Sequence, residues 1–288
     1  MKLLRFGAKG KEQPGILDAA NRIRDLSSIV EDIAGDAVSA RMLEEIRAVD
    51  LNALPIVRDG VRLGSCIGGV RNFIAVGLNY SDHAVESKMS LPEEPVLFNK
   101  APSCIVGPND DVIVPPGSCK TDWEVELAVV IGDRASYVTP EHALEHVAGY
   151  CVCNDVSERA YQLEGTGQWM KGKGCPSFGP LGPWLVTKDE ISDVQDLRLW
   201  LDVNGKRMQE GCTSSMVFNV AELVSYISRF MILEPGDVVT TGTPPGVGFG
   251  RNPPVYLKDG DRLELGIQNL GRQHSKVRKT RSGQYDTR

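Results

Sequence analysis

The sequence predicts an α+β, β-rich fold: a mixed β-roll preceded by a small β-rich N-terminal domain. Short apolar runs closed by turn residues outnumber stretches with helical spacing, and the two do not alternate strictly, which argues against a doubly wound sheet. The 288 residues include 30 glycines and 17 prolines, as many tight connections require. At 41% hydrophobic and 24% charged, the composition is that of a globular chain able to bury one large core, or a large and a small one.

Taken in order, Leu3, Leu4 and Phe6 open a strand, residues 10–14 turn, and Ile16-Leu17 and Ile23 to Asp25 give further short strands. From Val30 to Val49 the spacing is helical, with Met42, Leu43 and Ile46 on one face. Pro55 and the Arg58-Asp59-Gly60 turn close this unit, set at residues 1–68. The second unit, 69–275, holds nearly all the motifs. Strands are expected over 73–76, 96–98, 112–114, 123–131, 197–203, 238–241 and 262–267, with a further apolar run at 147–152; helices are expected over 80–87, 140–146 and 220–230. The basic residues after Gln273 lead into a tail, 276–288, expected to be disordered.

A net charge of -6 and a pI near 5.4 argue against nucleic acid as a partner. The N-terminal apolar stretch breaks after two leucines, unlike a signal peptide, and no run is long enough to cross a bilayer, so a cytoplasmic protein is expected. Seven cysteines are an odd number, and Cys151 and Cys153 lack zinc-ligand spacing; buried thiols in a reducing compartment fit better.

Chemistry is concentrated in Asp122-Trp123-Glu124-Val125-Glu126-Leu127, followed downstream by Asn154-Asp155. On a strand, Glu124 and Glu126 point to one side. Two readings fit: the solvated face of an edge strand, or, with Asp155, three oxygen donors for a hard cation such as Mg²⁺, Mn²⁺ or Ca²⁺. His83 and Glu86, one helical turn apart, are either a surface pair or a general base held by a carboxylate. Lys173, flanked by Gly172 and Gly174, is either an exposed basic-loop residue or a cation facing a ligand's charge. Lys100 is a strand-end charge or a second cation beside an anionic substrate. The run Thr241-Gly242-Thr243-Pro244-Pro245-Gly246 lacks the lysine and following helix of a phosphate loop, and reads as a rigid turn offering Thr243 and backbone N–H groups to a small carboxylate. No Gly-x-Ser-x-Gly elbow is present, so serine hydrolase chemistry has no support.

Six motifs in order then resemble the fumarylacetoacetate hydrolase family: Asn79-Tyr80-x-x-His83-x-x-Glu86, Pro95-Val96-Leu97-Phe98-x-Lys100, Glu124-x-Glu126, Asn154-Asp155-Val156-Ser157-x-Arg159, Gly172-Lys173, and Thr241-Gly242-Thr243-Pro244-x-Gly246-Val247-Gly248. The resemblance implies that family's mixed β-roll, with Glu124, Glu126 and Asp155 as ligands of Mg²⁺ or Mn²⁺. It also implies His83 and Glu86 as a water-activating dyad on a lid, Lys173 as a catalytic lysine, and Lys100, Gln162 and Thr243 as substrate-binding positions. Pro176 departs from the family, where an aspartate often stands shortly after the lysine.

The function so implied is metal-dependent hydrolysis of a C–C bond in a 2,4-dioxo acid, giving pyruvate and a hydroxy acid. A 2,4-diketo-3-deoxy sugar acid is the favoured substrate, and a homodimer or higher homo-oligomer the expected assembly. The alternatives are a ureidoglycolate lyase, an oxaloacetate decarboxylase or acylpyruvase, and a non-catalytic, metal-dependent binder of oxo acids.

Overall fold

The computed structural model describes residues 1–81 and 92–280. The chain opens with β1 (Lys2–Phe6), β2 (Gln13–Leu17) and β3 (Ile23–Asp25). Helix α1 (Ala40–Arg47) follows, and it is shorter than the helical spacing over 30–49 predicts. Gly35 takes a left-handed φ of +49° and opens a 3₁₀ turn, Gly35–Val38. Ser39 then caps α1 by accepting the Met42 N–H, leaving Leu43 and Ile46 buried.

Next come β4 (Phe73–Gly77), β5 (Val96–Lys100), β6 (Ile105–Val106), β7 (Val112–Val114), β8 (Thr121–Asp122), β9 (Val125–Ile131) and α2 (Pro140–Ala143). They are followed by β10 (Val147–Asn154), β11 (Ser157–Glu158), α3 (Arg159–Leu163), α4 (Met170–Lys173) and β12 (Gly179–Thr187). The described chain ends with β13 (Arg198–Val203), β14 (Lys206–Cys212), α5 (Val220–Ser228), β15 (Val238–Thr240), β16 (Arg262–Ile267) and β17 (Gly271–Lys279). The helix expected over 80–87 falls almost wholly outside the described residues.

Ten strands form one mixed sheet, ordered β3-β2-β1-β12-β10-β9-β15-β4-β5, with β6 beside β12. Five form a second, ordered β14-β13-β16-β17-β7, and β8 pairs with β11. Every residue of β9 and β10 is buried, which explains why their sequences are almost continuously apolar. Strand β1 runs antiparallel to β12, with Lys2 opposite Val186 and Leu3 opposite Leu185, so hydrogen bonding crosses the boundary drawn at residue 68.

Two buried glutamines reach from the second sheet to the first. Gln209 of β14 bonds at Val125, Thr243 and Pro244, and Gln273 of β17 bonds to carbonyls of Val152, Pro180 and Gly182.

The basic C-terminal segment corrects one expectation. Residues 276–279 belong to β17, which pairs in parallel with β7 through Val277 opposite Val112. Gln273, Ser275 and Val277 face inward, while Arg272, His274, Lys276 and Arg278 face outward. The basic residues are thus the wet side of a strand; only 281–288 lie outside the described residues. Ending the chain after Gln273, which removes most of β17, is therefore expected to abolish soluble expression. Val277→Ala should cost about 2 kcal/mol in denaturant unfolding, since it opens a cavity at a fully buried site.

Candidate metal centre and cleft

Glu124 lies immediately before β9 and Glu126 within it, two residues apart and so on one side of the backbone. The strand they mark is not an edge: β10 flanks β9 on one side and β15 on the other. Glu124 is 4% and Glu126 1% exposed, which removes the solvated-face reading. Asp155 follows the end of β10; its N–H donates to the Glu124 carbonyl at 2.8 Å, and the Asn154 side chain accepts the Glu124 N–H at 3.1 Å. With these two bonds in place, one oxygen from each of the three carboxylates lies within 4.8 Å of the others.

Three cations brace the cluster. The Lys173 ammonium, at the end of α4, stands 2.6 Å from Glu124 Oε2 and 2.7 Å from Asp155 Oδ2. Lys100, at the end of β5, donates to Asp155 Oδ1 at 2.5 Å and to the Lys173 carbonyl at 2.6 Å. The Arg159 guanidinium spans Asp122 and Glu124, with Nη2 2.8 Å from Asp122 Oδ2 and 2.6 Å from Glu124 Oε1. Burial alone would lower the Lys100 pKa, but the Asp155 carboxylate more than offsets it and holds the ammonium charged.

Among these groups, three positive charges (Lys100, Lys173, Arg159) face four carboxylates (Asp122, Glu124, Glu126, Asp155), leaving one negative charge over. The imbalance falls on Glu126. Burial, reinforced by the charges of Asp155 and Glu124, raises its pKa well above the usual glutamate range, although Gly242 donates its N–H to Oε2 at 3.0 Å. A buried site with only oxygen donors and a surplus of negative charge fits a hard divalent cation. Glu124, Glu126 and Asp155 are the residues that would hold it.

The cluster floors a cleft open to solvent. Its wall is largely apolar, formed by Val76, Leu78, Phe98, Leu163, Trp169 and Phe249. Trp169 meets Phe98 edge-on at 5.3 Å and presses on Gly77, where a Cβ would lie 2.5 Å from its ring. The Lys173 ammonium also lies 5.2 Å from the centre of the Phe98 ring.

Lys173, Gln162 and Thr243 all line this cleft. Gln162 accepts a hydrogen bond from Arg159 at 3.0 Å. Lys100 is placed differently from the expectation of a substrate contact: 1% exposed, it stands behind Asp155 and its ammonium is taken up by protein oxygens. The Thr241–Gly246 turn does receive a carboxylate on a backbone N–H, but that carboxylate is Glu126. His83 and Glu86 lie outside the described residues.

Sequence reasoning gave no role to Asp122, Arg159 or Gln209. Asp122 accepts the N–H groups of Trp123, Gly248 and Phe249 as well as the Arg159 guanidinium, tying the far end of the turn to the cluster. Its place two residues before Glu124, continuing the alternation of Glu124 and Glu126, was the available signal.

The raised Glu126 pKa fixes a sign. With no metal bound, the folded state retains a proton that the unfolded chain releases, so stability is lost as pH rises from the ordinary glutamate range through the raised value. Glu126→Gln should flatten that dependence and raise the melting temperature of the chelator-treated protein near neutral pH. Mg²⁺ at 100 times its Kd should stabilise the wild type by about 2.7 kcal/mol and the variant far less, as read by thermal melts with and without metal.

Comparison with known proteins gives the family. The family model for the fumarylacetoacetate (FAA) hydrolase C-terminal region matches residues 72–278. A Burkholderia cenocepacia relative, named only as a "putative hydrolase", is 58% identical over 279 residues, 96% of this chain and 99% of its own. The fumarylacetoacetate hydrolase of Exiguobacterium antarcticum superposes with a TM-score of 0.86 at 39% identity, covering 97% of this chain and 100% of that one. A structure named as a probable 2-hydroxyhepta-2,4-diene-1,7-dioate isomerase, from Mycobacterium abscessus, gives 0.84 at 34% identity, with 98% and 100% covered. The chain belongs to the fumarylacetoacetate hydrolase family.

Proposed function

We propose that this protein is a divalent-metal-dependent hydrolase that cleaves a C–C bond of a 2,4-dioxo acid. The observation that carries the reading is the convergence of Glu124, Glu126, Asp155 and Lys173 at the floor of one apolar-walled cleft. The reaction adds water across the C3–C4 bond: hydroxide joins C4, C3 leaves with the electron pair and takes a proton, and pyruvate and a carboxylic acid result. A cation held by the three carboxylates would supply the Lewis acidity that stabilises negative charge on the 2-oxo oxygen.

The remaining work falls to the protein's own groups. Lys173, the cation that reaches the cleft from α4, meets charge developing on the attacked oxygen. The His83/Glu86 pair takes the proton from water, as the family motif implies. The Gln162 side chain, held by Arg159, and the Thr243 side chain orient the substrate's polar end.

The apolar wall refines the substrate. Among the described wall residues, the side chains of Val76, Leu78, Phe98, Leu163, Trp169 and Phe249 offer contact area to an alkyl or conjugated acyl chain and no partners for hydroxyl groups, the polar groups of Gln162, Lys173 and Thr243 being at the charged end of the cleft. An acylpyruvate or an unsaturated dioxo dioate therefore fits this cleft better than a polyhydroxylated diketo sugar acid. A second reading, isomerisation of a 2-hydroxy dienoate, is supported by the isomerase-named neighbour, because a protein that stabilises an enolate without delivering water would do that instead.

The test is release of pyruvate from acylpyruvates, diketo-deoxy sugar acids and oxaloacetate, with and without Mg²⁺, alongside ultraviolet monitoring of a hydroxy dienedioate. Metal-dependent pyruvate from an acylpyruvate is the expected result. Isomerisation with no pyruvate from any compound would establish the second reading. Lys173→Met should lower kcat by about 10²–10³-fold, the cost of removing one preorganised group facing transition-state charge.

A further inference from the structure

We infer that Gln209 is a positioning residue for the metal centre, an inference that rests on the divalent-metal reading above. It belongs to the second sheet, on edge strand β14, yet its side chain is 1% exposed and ends against the strand that bears the ligands. Its Oε1 accepts the Val125 N–H at 2.9 Å. Its Nε2 donates to Thr243 Oγ1 and to the Pro244 carbonyl, each at 2.8 Å. Thr243 in turn donates its hydroxyl to the Val125 carbonyl at 2.8 Å. Both backbone groups of the residue between Glu124 and Glu126 are thus held by side chains.

The sheet explains why side chains are needed there. Strand β15 pairs with β9 only at Ala128, Val129 and Val130, while β10 continues along the other side as far as Val125. Beyond Thr240 the chain leaves the ladder for the Thr241–Gly246 turn. On the side away from β10, Val125 would then present a buried N–H and C=O with no neighbouring strand, and a buried backbone group left unpaired is costly. Gln209 and Thr243 stand in for that strand.

The consequence reaches the carboxylates directly. Glu124 and Glu126 hang on the peptide units either side of Val125, so the path of the backbone there sets the separation of their carboxylates. A strand end free to fray would let them separate. The Gln209–Thr243 pair keeps the backbone extended, so both carboxylates stay in reach of one cation before it binds.

Gln273 supplies the control. It too crosses from the second sheet and is fully buried, but it bonds at Val152, Pro180 and Gly182 and touches neither Glu124 nor Glu126. The experiment titrates Mn²⁺, followed by the electron paramagnetic resonance signal of the free ion, into chelator-treated wild type, Gln209→Met and Gln273→Met, with melting temperatures of the metal-free forms. Gln209→Met is expected to raise the Mn²⁺ Kd at least tenfold. Gln273→Met, with a comparable loss of melting temperature, should stay within twofold of wild type. If Gln209→Met does not fold, Gln209→Asn, whose shorter amide cannot span Val125 and Thr243 together, is expected to weaken binding in the same direction. An unchanged Kd in the folded Gln209 variant, or an equal loss in Gln273→Met, overturns the inference. Wild type that binds no Mn²⁺ removes the metal reading itself, and the role of Gln209 with it, before any variant is compared.

Discussion

Between the ends of β9, β10 and β5 and the helix α4, a continuous chain of contacts runs from Asp122 through Arg159, Glu124, Lys173 and Asp155 to Lys100. All six side chains are buried, and Glu126 lies beside them, its pKa raised by burial and by the charges of Asp155 and Glu124. Bringing ions out of water costs several kcal/mol each, and close pairing returns that only in part. Replacing the network by apolar groups of similar shape would stabilise many folds, so its presence points to use rather than to stability. What the fold supplies in return is rigidity: two fully covered strands, a backbone hydrogen bond from Asp155 to Glu124, and two sheets linked by buried amides.

Legibility in the sequence followed the range of the interactions. The spacing of Glu124 and Glu126 revealed their shared side because a strand has a period of two, and the apolar residues around them marked the strand itself. Asp155 could be seen as the polar end of another apolar run. Strand β12, by contrast, was hidden: its sequence Gly179-Pro180-Leu181-Gly182-Pro183 reads as loop, and only its place between β1 and β10 makes it a strand. β14 was missed for a related reason, since an edge strand carrying Lys206, Arg207, Gln209 and Glu210 has little apolar pattern.

The same distinction separates the residues of the site. Lys100 was readable as a charge at a strand end, but not as a group that turns its back on the cleft. That depends on a pairing with Asp155 across 55 residues. The Thr241–Gly246 turn reads in sequence as a receptor for a small bound carboxylate, whereas the sheet brings the protein's own Glu126 to the Gly242 N–H. Gln209 carried no local signal at all, because its meaning comes from where β15 stops alongside β9.

The placement of the wall residues has a consequence for how such a protein diverges. The charged floor stands on the central strands of the large sheet, where a change of side chain disturbs the core. Leu163 ends a five-residue helix, and Trp169 and Phe249 sit on connecting segments, so their replacement reshapes the cleft with little penalty to folding. Selectivity can therefore drift while the reactive apparatus stays fixed, and closely similar folds can come to bear the names of different reactions.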